Sequence, residues 1–432
     1  MVTLTTAENA LKSVYLGVVS NQLNIKANPL LSKIKQTTGD VWGKEVVKLA
    51  PFGLNGGFGA GSEDGALPMA NANNYVQFKA ALKNLYGKIE LSDKAIRASQ
   101  HSSGAFVNLL NSEMENLVKS STFNLGRMLY GNGTGSLTTE YVAYPNNDFI
   151  TTPDFKNFVE GMIVDIIDID PSKGEAVKFA GSPLTVTRVD RLNGKVYFNG
   201  TLPQSINYLT DIITVQNSYN KEILGLGAIF GTDTSLYGVD RTQNYWMNPY
   251  KNEEVGQITD SVIQQAIDNL DELYSSEADY ICCGSDVKRY YQEYLNTFRR
   301  NIDYMELNGG FKAMSYGGIP IVSDKFISNG TMYILNTKDF NLHQLCDWTW
   351  LEGDDGRILK QNAGYPTYTA TLVKYAELIC DKPAGQAKLS GITATDTSNY
   401  SADIAANTRI IAESTELLST NYEIVNADAI LG

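Results

Sequence analysis

The feature that most constrains the fold is the segment 316–335 (YGGIPIVSDKFISNGTMYIL), which combines two tight turns with two short apolar strands. The Gly-Gly pair at 317–318 and the Asn-Gly pair at 329–330 accept the positive φ angles of tight turns. The stretches 319–322 and Met332–Leu335 contain the β-branched and aromatic residues that favour pleated, half-buried positions. The segment therefore predicts a β-hairpin-like unit, and it contains no catalytic residue pattern.

The composition is that of a globular protein with a large core and an acidic surface. The chain has 432 residues, of which 43% are hydrophobic and 19% are charged, and its formal net charge is -13. At roughly 150 residues per domain, this length predicts about two to three domains. The negative charge argues against a protein that wraps nucleic acid through overall positive charge. No run approaches the ~20 apolar residues of a membrane span, and the N-terminus lacks a secretion signal.

Cysteine and histidine are too scarce to suggest a disulfide framework or a metal site. Cys282 and Cys283 are adjacent, a spacing that rarely permits a bridge, and together with Cys346 and Cys380 they are expected to be reduced in a cytoplasm. His343 and Cys346 form an H-x-x-C pair, but nothing in the sequence completes a set of four ligands. The other histidine, at position 101, has no partner at metal-ligand spacing.

Three further patterns resemble known sites only superficially. The glycine-rich stretch 57–61 lacks the following helix and the acidic residue of a dinucleotide-binding loop. An acidic cluster without the arrangement of a calcium loop is expected to form a solvated face; its members are Asp165, Asp168, Asp170 and Glu175. A carboxylate dyad of the glycosidase type stays open, because its spacing is set by the fold. The sequence thus predicts no catalytic residue, no cofactor-binding residue and no metal ligand, and it predicts a protein that is not an enzyme.

The N-terminal part of the chain indicates an arm, an extended loop and a long helix. Residues 1–45 are mildly basic, and they are expected either to be solvated or to reach across a neighbour or face an acidic interior. The glycine-rich segment 51–74 lies between two strand-like runs and predicts a β-hairpin with a mobile tip. A helix capped by Ser102 or Ser103 is predicted to run to about Tyr130, since apolar residues repeat every three or four positions.

The segment 137–217 differs from both of its flanks. It contains short β-rich runs that are separated by Asn-Gly, Pro and Asp turns. The strongest hairpin signal joins 186–189 to 195–198 around Asn193-Gly194. Short strands repeated at such intervals predict a small barrel or sandwich.

The C-terminal half indicates an α+β domain and an acidic tail. Amphipathic helices are predicted at 258–273 and 285–298, with a compact strand at 278–283 between them. A later strand is predicted within 365–380. The segment 386–432 is assigned as an acidic C-terminal tail. From Thr393 onward it is rich in Ala, Ser and Thr and carries six acidic residues against one arginine, so it is expected to be loosely ordered or docked on a partner.

Four separate stretches resemble the major capsid proteins of tailed bacteriophages, the Hong Kong 97-type capsid fold family. They are 88–96 (KIELSDKAI), 220–230 (NKEILGLGAIF), 237–249 (YGVDRTQNYWMNP) and 316–335. The last is the strongest match, because a Gly-Ile-Pro strand is followed by Asp and then by Asn-Gly-Thr-Met-Tyr. Together the stretches cover most of residues 40 to 380 in the order that the family shows.

The resemblance implies an α+β fold of the Hong Kong 97 type with an inserted small all-β domain. The expected parts are an N-terminal arm (1–45), an extended loop with flanking strands (46–102), a spine helix (103–131), the inserted β domain (137–217), peripheral and axial α+β domains (218–385) and the acidic tail (386–432). In similar coat proteins such insertions lie on the capsid exterior. Some relatives cross-link their subunits through a Lys–Asn isopeptide bond, but no local signature identifies such a pair here, so no residues are assigned to one and cross-linking stays open.

The resemblance also implies a function, a set of partners and a location. The protein is expected to self-assemble, as pentamers and hexamers, into the icosahedral shell around the double-stranded DNA genome of a tailed bacteriophage. A start at Met1 without a long charged helical prefix favours a separate scaffolding protein. Further expected partners are the portal, decoration or auxiliary capsid proteins, and packaged DNA through non-specific contact, with no membrane. Assembly is expected in the bacterial host cytoplasm, and the final location is the virion.

Two alternative functions remain open from the sequence. An encapsulin-like nanocompartment shell would share the fold, and protein cargo instead of genomic DNA would identify it. A carbohydrate-processing enzyme with a β accessory domain belongs to a different class. That alternative requires a pocket in which carboxylates with perturbed pKa values converge.

Overall fold

The computed structural model describes residues 28–53, 55–70, 72–94, 103–138, 140–169, 176–179, 181–297, 304–307, 311–353 and 356–394. The expectations for most of the arm, for His101, and for Asp170 and Glu175 of the acidic cluster therefore lie outside the described residues. The same holds for the acidic tail beyond residue 394.

The helices in this part of the chain are α1 (Ser103–Met128), α2 (Leu226–Ile229), α3 (Asp260–Tyr274) and α4 (Ser285–Thr297). The strands are β1 (Lys35–Thr37), β2 (Val41–Trp42), β3 (Glu45–Phe52), β4 (Asn74–Ala81), β5 (Lys83–Ser92), β6 (Val142–Ala143), β7 (Phe149–Thr151), β8 (Ile163–Asp168), β9 (Val177–Lys178), β10 (Leu184–Asp190), β11 (Lys195–Phe198), β12 (Ile212–Val215), β13 (Ser235–Leu236), β14 (Val239–Asp240), β15 (Tyr250–Asn252), β16 (Gly256–Gln257), β17 (Tyr280–Cys283), β18 (Tyr304–Leu307), β19 (Phe311–Tyr316), β20 (Ile319–Ser323), β21 (Met332–Leu335), β22 (Phe340–Trp350), β23 (Lys360–Gln361), β24 (Thr367–Cys380), β25 (Ala387–Leu389) and β26 (Ile392–Thr393). The predicted long helix and the two predicted amphipathic helices are all present, with ends that differ from the prediction by about three residues or fewer.

The longest strands form one sheet, the long-strand sheet, with the order β1-β22-β24-β23 and with β5 on the other edge of β24. β24 runs antiparallel to both β22 and β5, so it lies in the interior of the sheet. Helix α1 packs on this sheet along β5, where a Cβ at Gly87 would come within 2.7 Å of Leu117. Glycine at this position therefore permits the close approach of helix and strand.

A second sheet, the mixed sheet, has the order β15-β25-β21-β17-β20-β19-β18. The central strand β17 is parallel to β20 and antiparallel to β21, and helix α4 lies in the connection from β17 to β20. Ile263 and Leu270 of α3 and Val287 of α4 are buried in the core of this sheet. The strands predicted on either side of Asn329-Gly330 are thus confirmed, but the predicted hairpin-like pairing between them is wrong, because β17 lies between β20 and β21 and pairs with both.

The Asn329-Gly330 turn requires glycine at position 330. Gly330 has a φ of 67°, and its N–H donates to Asp286 Oδ2 at 2.6 Å. A Cβ at this position would lie 2.9 Å from the carbonyl oxygen of Ile392. Both the positive φ and the close backbone approach exclude a larger residue.

Residues 142–215 contain a third sheet, the β-rich sheet, with the order β12-β8-β10-β11-β7-β6 and with β9 paired to β8. The predicted hairpin is confirmed, because β10 and β11 pair antiparallel around Asn193-Gly194, with an irregularity between Val186 and Arg188. Apolar side chains of this sheet form a cluster of their own, to which Ile150, Val196 and Phe198 belong. The region therefore has a hydrophobic core separate from those of the other two sheets.

Strand β25 shows that the tail does not begin at residue 386, where the sequence placed it. Ala387 and Leu389 are buried, and β25 pairs with β21 on one edge and with β15 on the other. Ile392 is also buried, in the strand β26 that pairs with β16. The two strands are only three and two residues long. Their alternation of apolar and polar residues is too short to be recognised in the sequence, since a polar segment follows it directly.

Residues 28–37 are packed into the body of the protein, although the sequence predicted an arm over the whole of 1–45. Leu30, Leu31 and Ile34 are buried in the core shared by α1 and the long-strand sheet. Strand β1 adds to this sheet parallel to β22. Three apolar residues are enough to anchor this segment, but they are too few to stand out in a polar sequence.

Candidate functional site

A projecting hairpin is the feature of the described chain that best suits contact with another molecule. β3 and β4 pair in register from Glu45 opposite Ala81 to Phe52 opposite Asn74. At the base of this hairpin, Val46 and Phe78 are fully buried. The predicted extended hairpin is therefore present, and its base belongs to the core.

Aromatic stacking fixes the paired strands of the hairpin to the rest of the subunit. Phe52 stacks on Trp246 with ring centroids 5.3 Å apart, and Phe78 packs against the same ring at 6.2 Å. The Lys48 ammonium lies 2.7 Å from Asp381 Oδ2, which is close to the end of β24. These contacts hold the strands in one orientation relative to the long-strand sheet.

Beyond Phe52 and Asn74 the hairpin continues into a loop, the hairpin tip (residues 53–73). Its described part holds polar contacts such as the hydrogen bond from Asn55 Nδ2 to Asn73 Oδ1 at 2.9 Å. Three large apolar side chains of the tip are almost fully in water, because Phe58 is 97% exposed and Leu67 and Met69 are each 88% exposed. Apolar side chains grouped on one exposed loop indicate a surface that another molecule covers.

The C-terminal end of α1 is closed by the segment 220–230, one of the stretches that carries the resemblance. The N–H of Leu226 donates to the carbonyl of Leu129 at 2.8 Å, which satisfies one of the unpaired carbonyls at a helix end. A Cβ at Gly225 would lie 2.4 Å from the carbonyl oxygens of Leu129 and Met128. The glycine of this motif is therefore required by backbone packing against the helix and has no chemical role.

A buried ion pair fixes the same junction. Arg127 Nη2 of α1 lies 2.5 Å from Glu222 Oε1, and both side chains are almost fully buried. A buried pair is costly to break because the remaining charge loses its partner. The pair thus ties the end of the helix to the chain that leaves the β-rich sheet.

Asp324 joins three distant parts of the chain. Its Oδ2 accepts hydrogen bonds from Asn28 Nδ2 at 2.7 Å and from the Tyr130 hydroxyl at 3.2 Å, and its Oδ1 accepts from the N–H of Phe326. Burial raises the pKa of this carboxyl above its ordinary range. The contacts explain why Asp follows the strand in the segment 316–335: the side chain organises the packing of three elements.

Two ionisable groups of β24 are buried in the long-strand sheet. Burial raises the pKa of Glu377 to about 8, and its Oε1 accepts from the N–H of Leu224 at 2.8 Å. Burial lowers the pKa of Lys374, whose ammonium donates to Asp347 Oδ1 at 2.8 Å. The two side chains have separate partners, so they do not form one catalytic pair.

Asp165 and Asp168, the described members of the acidic cluster, and His343 of the H-x-x-C pair are all buried. The carboxylate of Asp165 has partners there, since it accepts from the N–H of Asn217 at 2.8 Å and pairs with the Lys178 ammonium at 2.6 Å. Asp168 is buried as well, so the prediction of a solvated acidic face is wrong for both residues. Strand β8 has neighbours on both edges, and its local sequence does not reveal this. His343 is buried and contacts the carbonyl of Gly39 at 2.8 Å through Nδ1.

The described residues offer neither a cluster of metal ligands nor a helix suited to a membrane. In this part of the chain, no group of three or more His, Cys, Asp or Glu is arranged to hold a metal ion. Within the same residues, no helix combines the length and the apolar character that crossing a membrane requires. Cys282, Cys283 and Cys380 are buried free cysteines, and Cys346 is a half-buried one.

Comparison with solved structures identifies the fold. No protein-family model matches the chain, and no curated protein is significantly similar to it. A chain of the cyanophage A-1(L) capsid asymmetric unit superposes with a TM-score of 0.53 at 11% identity, over 88% of this chain and 94% of that one. The chain therefore has a phage capsid-protein fold, and the resemblance to this family is confirmed at the level of the fold.

Two further solved structures are similar over most of their length. The satellite phage P4 procapsid gives a TM-score of 0.41 at 9% identity, over 88% of this chain and 99% of that one. The SrpI encapsulin of Synechococcus elongatus gives a TM-score of 0.42 at 7% identity, over 85% of this chain and 91% of that one.

Proposed function

We propose that this chain is the major capsid protein of a tailed bacteriophage, which assembles with copies of itself into the icosahedral shell around double-stranded DNA. The observation that carries the proposal is the hairpin tip. Its exposed Phe58, Leu67 and Met69 lie beyond paired strands whose last residue, Phe52, is stacked on Trp246 in the body. In a chain with a phage capsid-protein fold, such a loop is suited to lie across an adjacent copy and bury its apolar side chains there.

The proposed parts are those of the Hong Kong 97-type fold. Helix α1 is the spine helix, the hairpin of β3 and β4 is the extended loop, and the long-strand and mixed sheets are the peripheral and axial domains. Residues 137–217 are the inserted domain, an assignment supported by their separate hydrophobic cluster. The bridge between Ser136 and Thr214 supports it further, because it places the entry and exit of this region side by side.

The proposed role is structural and not enzymatic. Each contact between subunits is weak alone, but a subunit held by many neighbours gains avidity from their high effective concentration. Heterologous interfaces close into rings of five and six copies when the rotation between neighbours permits. The proposed location is the virion, and the further partners are a scaffolding protein, the portal, decoration proteins and the packaged DNA.

Electron microscopy of the purified protein tests this function. The chain is expressed alone and together with its proposed scaffolding protein, and the material is separated by sedimentation before imaging. Closed icosahedral particles are expected in at least one of the two preparations. A protein that stays monomeric in both contradicts the proposal. Particles from infected cells that hold protein cargo instead of DNA would contradict its viral part and would favour a nanocompartment shell.

A further inference from the structure

The outer edge of β5 opens into a cleft, which we call the edge cleft. It has a volume of ≈ 1030 Å³ and lies between β5, one face of α1 and the segment 215–222. Every residue from 81 to 89 lines it. Because successive residues of a strand point to opposite faces, a cleft touched by all of them runs along the backbone edge of the strand.

This edge carries no second strand within the described residues. β5 pairs with β24 along its other edge, from Lys83 opposite Ala376 to Ser92 opposite Thr367. An open strand edge presents unpaired N–H and C=O groups, which are a template for an added strand. The edge cleft thus combines a backbone template with a walled groove.

The charge of the edge cleft favours an acidic occupant. Lys83, Lys88 and Lys221 line it, and the latter two are exposed. Glu113 and Glu222 also line it, but the carboxylate of Glu222 is already paired with Arg127. The rim therefore offers more uncompensated ammonium groups than carboxylates.

The chain itself contains a segment with matching chemistry. Residues 395–432 carry six acidic residues against the single Arg409; these acidic residues are Asp396, Asp403, Glu413, Glu416, Glu423 and Asp428. Within this segment, Tyr422, Ile424 and Val425 surround Glu423 in a stretch whose residue types favour a strand. Residues 1–27 hold Lys12 and Lys26 against Glu8, so they lack the complementary charge.

The described chain ends on the other side of α1 from the edge cleft. Ser121, Asn124 and Met128 line the cleft at helical spacing. Gly126 lies on the opposite face of α1, where a Cβ would come within 2.7 Å of the Phe326 ring. The loop that contains Phe326 leads to Gly330, whose carbonyl accepts from the N–H of Ile392 close to the last described residue. A tail that starts there must pass around α1 to reach the edge cleft of its own subunit. To reach the edge cleft of an adjacent copy, the tail does not have to pass around its own α1.

We infer that the edge cleft binds the acidic C-terminal segment 395–432 of a second copy of this chain, which adds a strand to the outer edge of β5. The inference rests on the proposed shell, because the shell supplies the neighbouring copy. Fully extended at roughly 3.3 Å per residue, the segment is more than about 100 Å long, which is enough to reach an adjacent subunit. The interaction links copies through backbone hydrogen bonds and through ammonium–carboxylate contacts.

Carbodiimide cross-linking of the full-length protein tests the inference, because it joins ammonium groups directly to nearby carboxylates. A sample mixed from ¹⁴N and ¹⁵N chains before assembly identifies cross-links between copies by mass spectrometry. Cross-links from Lys83, Lys88 or Lys221 to acidic residues of 395–432 are expected in mixed-isotope pairs. The ion pair of Lys48 and Asp381, at 2.7 Å, is the internal control.

If the control cross-link between Lys48 and Asp381 is recovered but no cross-link joins the edge cleft to residues 395–432, the inference is overturned. Cross-links confined to one isotope overturn the assignment to a second copy, and cross-links to Glu8 would identify the N-terminal segment as the occupant. The outcome is independent of the proposed function: shells without the cross-links reject the docking alone, and cross-linked copies without shells reject the capsid alone.

Hydrogen exchange provides a second readout that is specific to strand addition. The variant Glu413→Gln/Glu416→Gln/Glu423→Gln neutralises much of the tail and touches no described core residue. Amides of β5 are expected to exchange at least about tenfold faster in this variant than in the parent protein, while those of β21 remain unchanged. Equal exchange of β5 in both proteins contradicts the added strand.

Discussion

Replacing Glu377 with glutamine should stabilise the subunit at neutral and alkaline pH and change little in acid. Glu377 is fully buried, and burial raises the pKa of its carboxyl from the ordinary 4.5 to about 8. Its Oε1 accepts from the N–H groups of Leu224 and Leu378, whereas no described group bonds to its Oε2. Glutamine has the same shape and retains an acceptor oxygen for both N–H groups, but it does not ionise.

The size of the effect follows from the two pKa values. The unfolded chain loses the proton near pH 4.5, whereas the folded subunit retains it to about pH 8. Between these values the unfolded state binds fewer protons, so the free energy of unfolding of the parent protein falls as the pH rises. At about 1.4 kcal/mol per pH unit, the loss relative to Glu377→Gln is about 3 kcal/mol at pH 7 and about 5 kcal/mol above pH 8.

Urea unfolding followed by circular dichroism measures this difference at about pH 5, 7 and 8.5. Glu115→Gln, at an exposed position of α1, is the matched control and should follow the parent protein at each pH. The advantage of Glu377→Gln over the parent should grow from a small value at pH 5 to several kcal/mol at pH 8.5. A difference that is constant across this range, or that shrinks as the pH rises, would refute the assignment of a neutral buried carboxyl.

Three further predictions concern the stability of the subunit. Gly225→Ala should lower the free energy of unfolding by about 1–3 kcal/mol, because its Cβ would collide with two carbonyl oxygens. Gly61→Ala is the control and should leave the urea midpoint unchanged, because the nearest atom to its added Cβ would be 3.9 Å away. Glu222→Ala should cost about 3–5 kcal/mol in the same assay, and Arg127→Met/Glu222→Leu should restore most of it; a double variant as unstable as the single one would contradict this account. A chain in which a short glycine linker replaces residues 137–217 should stay soluble with a cooperative melt, since Gly135 lies beside Ser218; loss of that melt would show that the region is integral to the core.

Local signals predicted the turns and the main helices of this fold correctly. Asn193-Gly194 marks a hairpin turn and Asn329-Gly330 marks the turn that leads into β21, because glycine is required at their positive φ angles, a constraint that the sequence itself records. The spacing of apolar residues likewise predicted α1, which packs its apolar stripe on β5. These features depend on neighbours along the chain.

Features that depend on distant neighbours could not be predicted in the same way. Asp165 looks like a surface residue in the sequence, but it is buried because Lys178 and the N–H of Asn217 satisfy its carboxylate. Glu377 and Lys374 interrupt the apolar pattern of β24, and only the packing of residues remote in sequence encloses them. For the candidate site, the sequence predicted the hairpin, but the extreme exposure of Phe58 and the stacking on Trp246 required the structure.

The central claim is that the hairpin tip joins this subunit to its neighbours in a shell, and particle yield measured beside subunit stability tests it most directly. Phe58→Ser/Leu67→Ser/Met69→Ser removes the exposed apolar side chains of the tip, and Leu192→Ser removes one that is 97% exposed on the β-rich sheet. The triple variant should lower the yield of sedimenting particles at least about tenfold with an unchanged melting temperature, because lone exposed side chains contribute little to folding. The Leu192 variant should assemble normally. Normal particles from the triple variant, or a melting temperature that falls together with its yield, would contradict the claim.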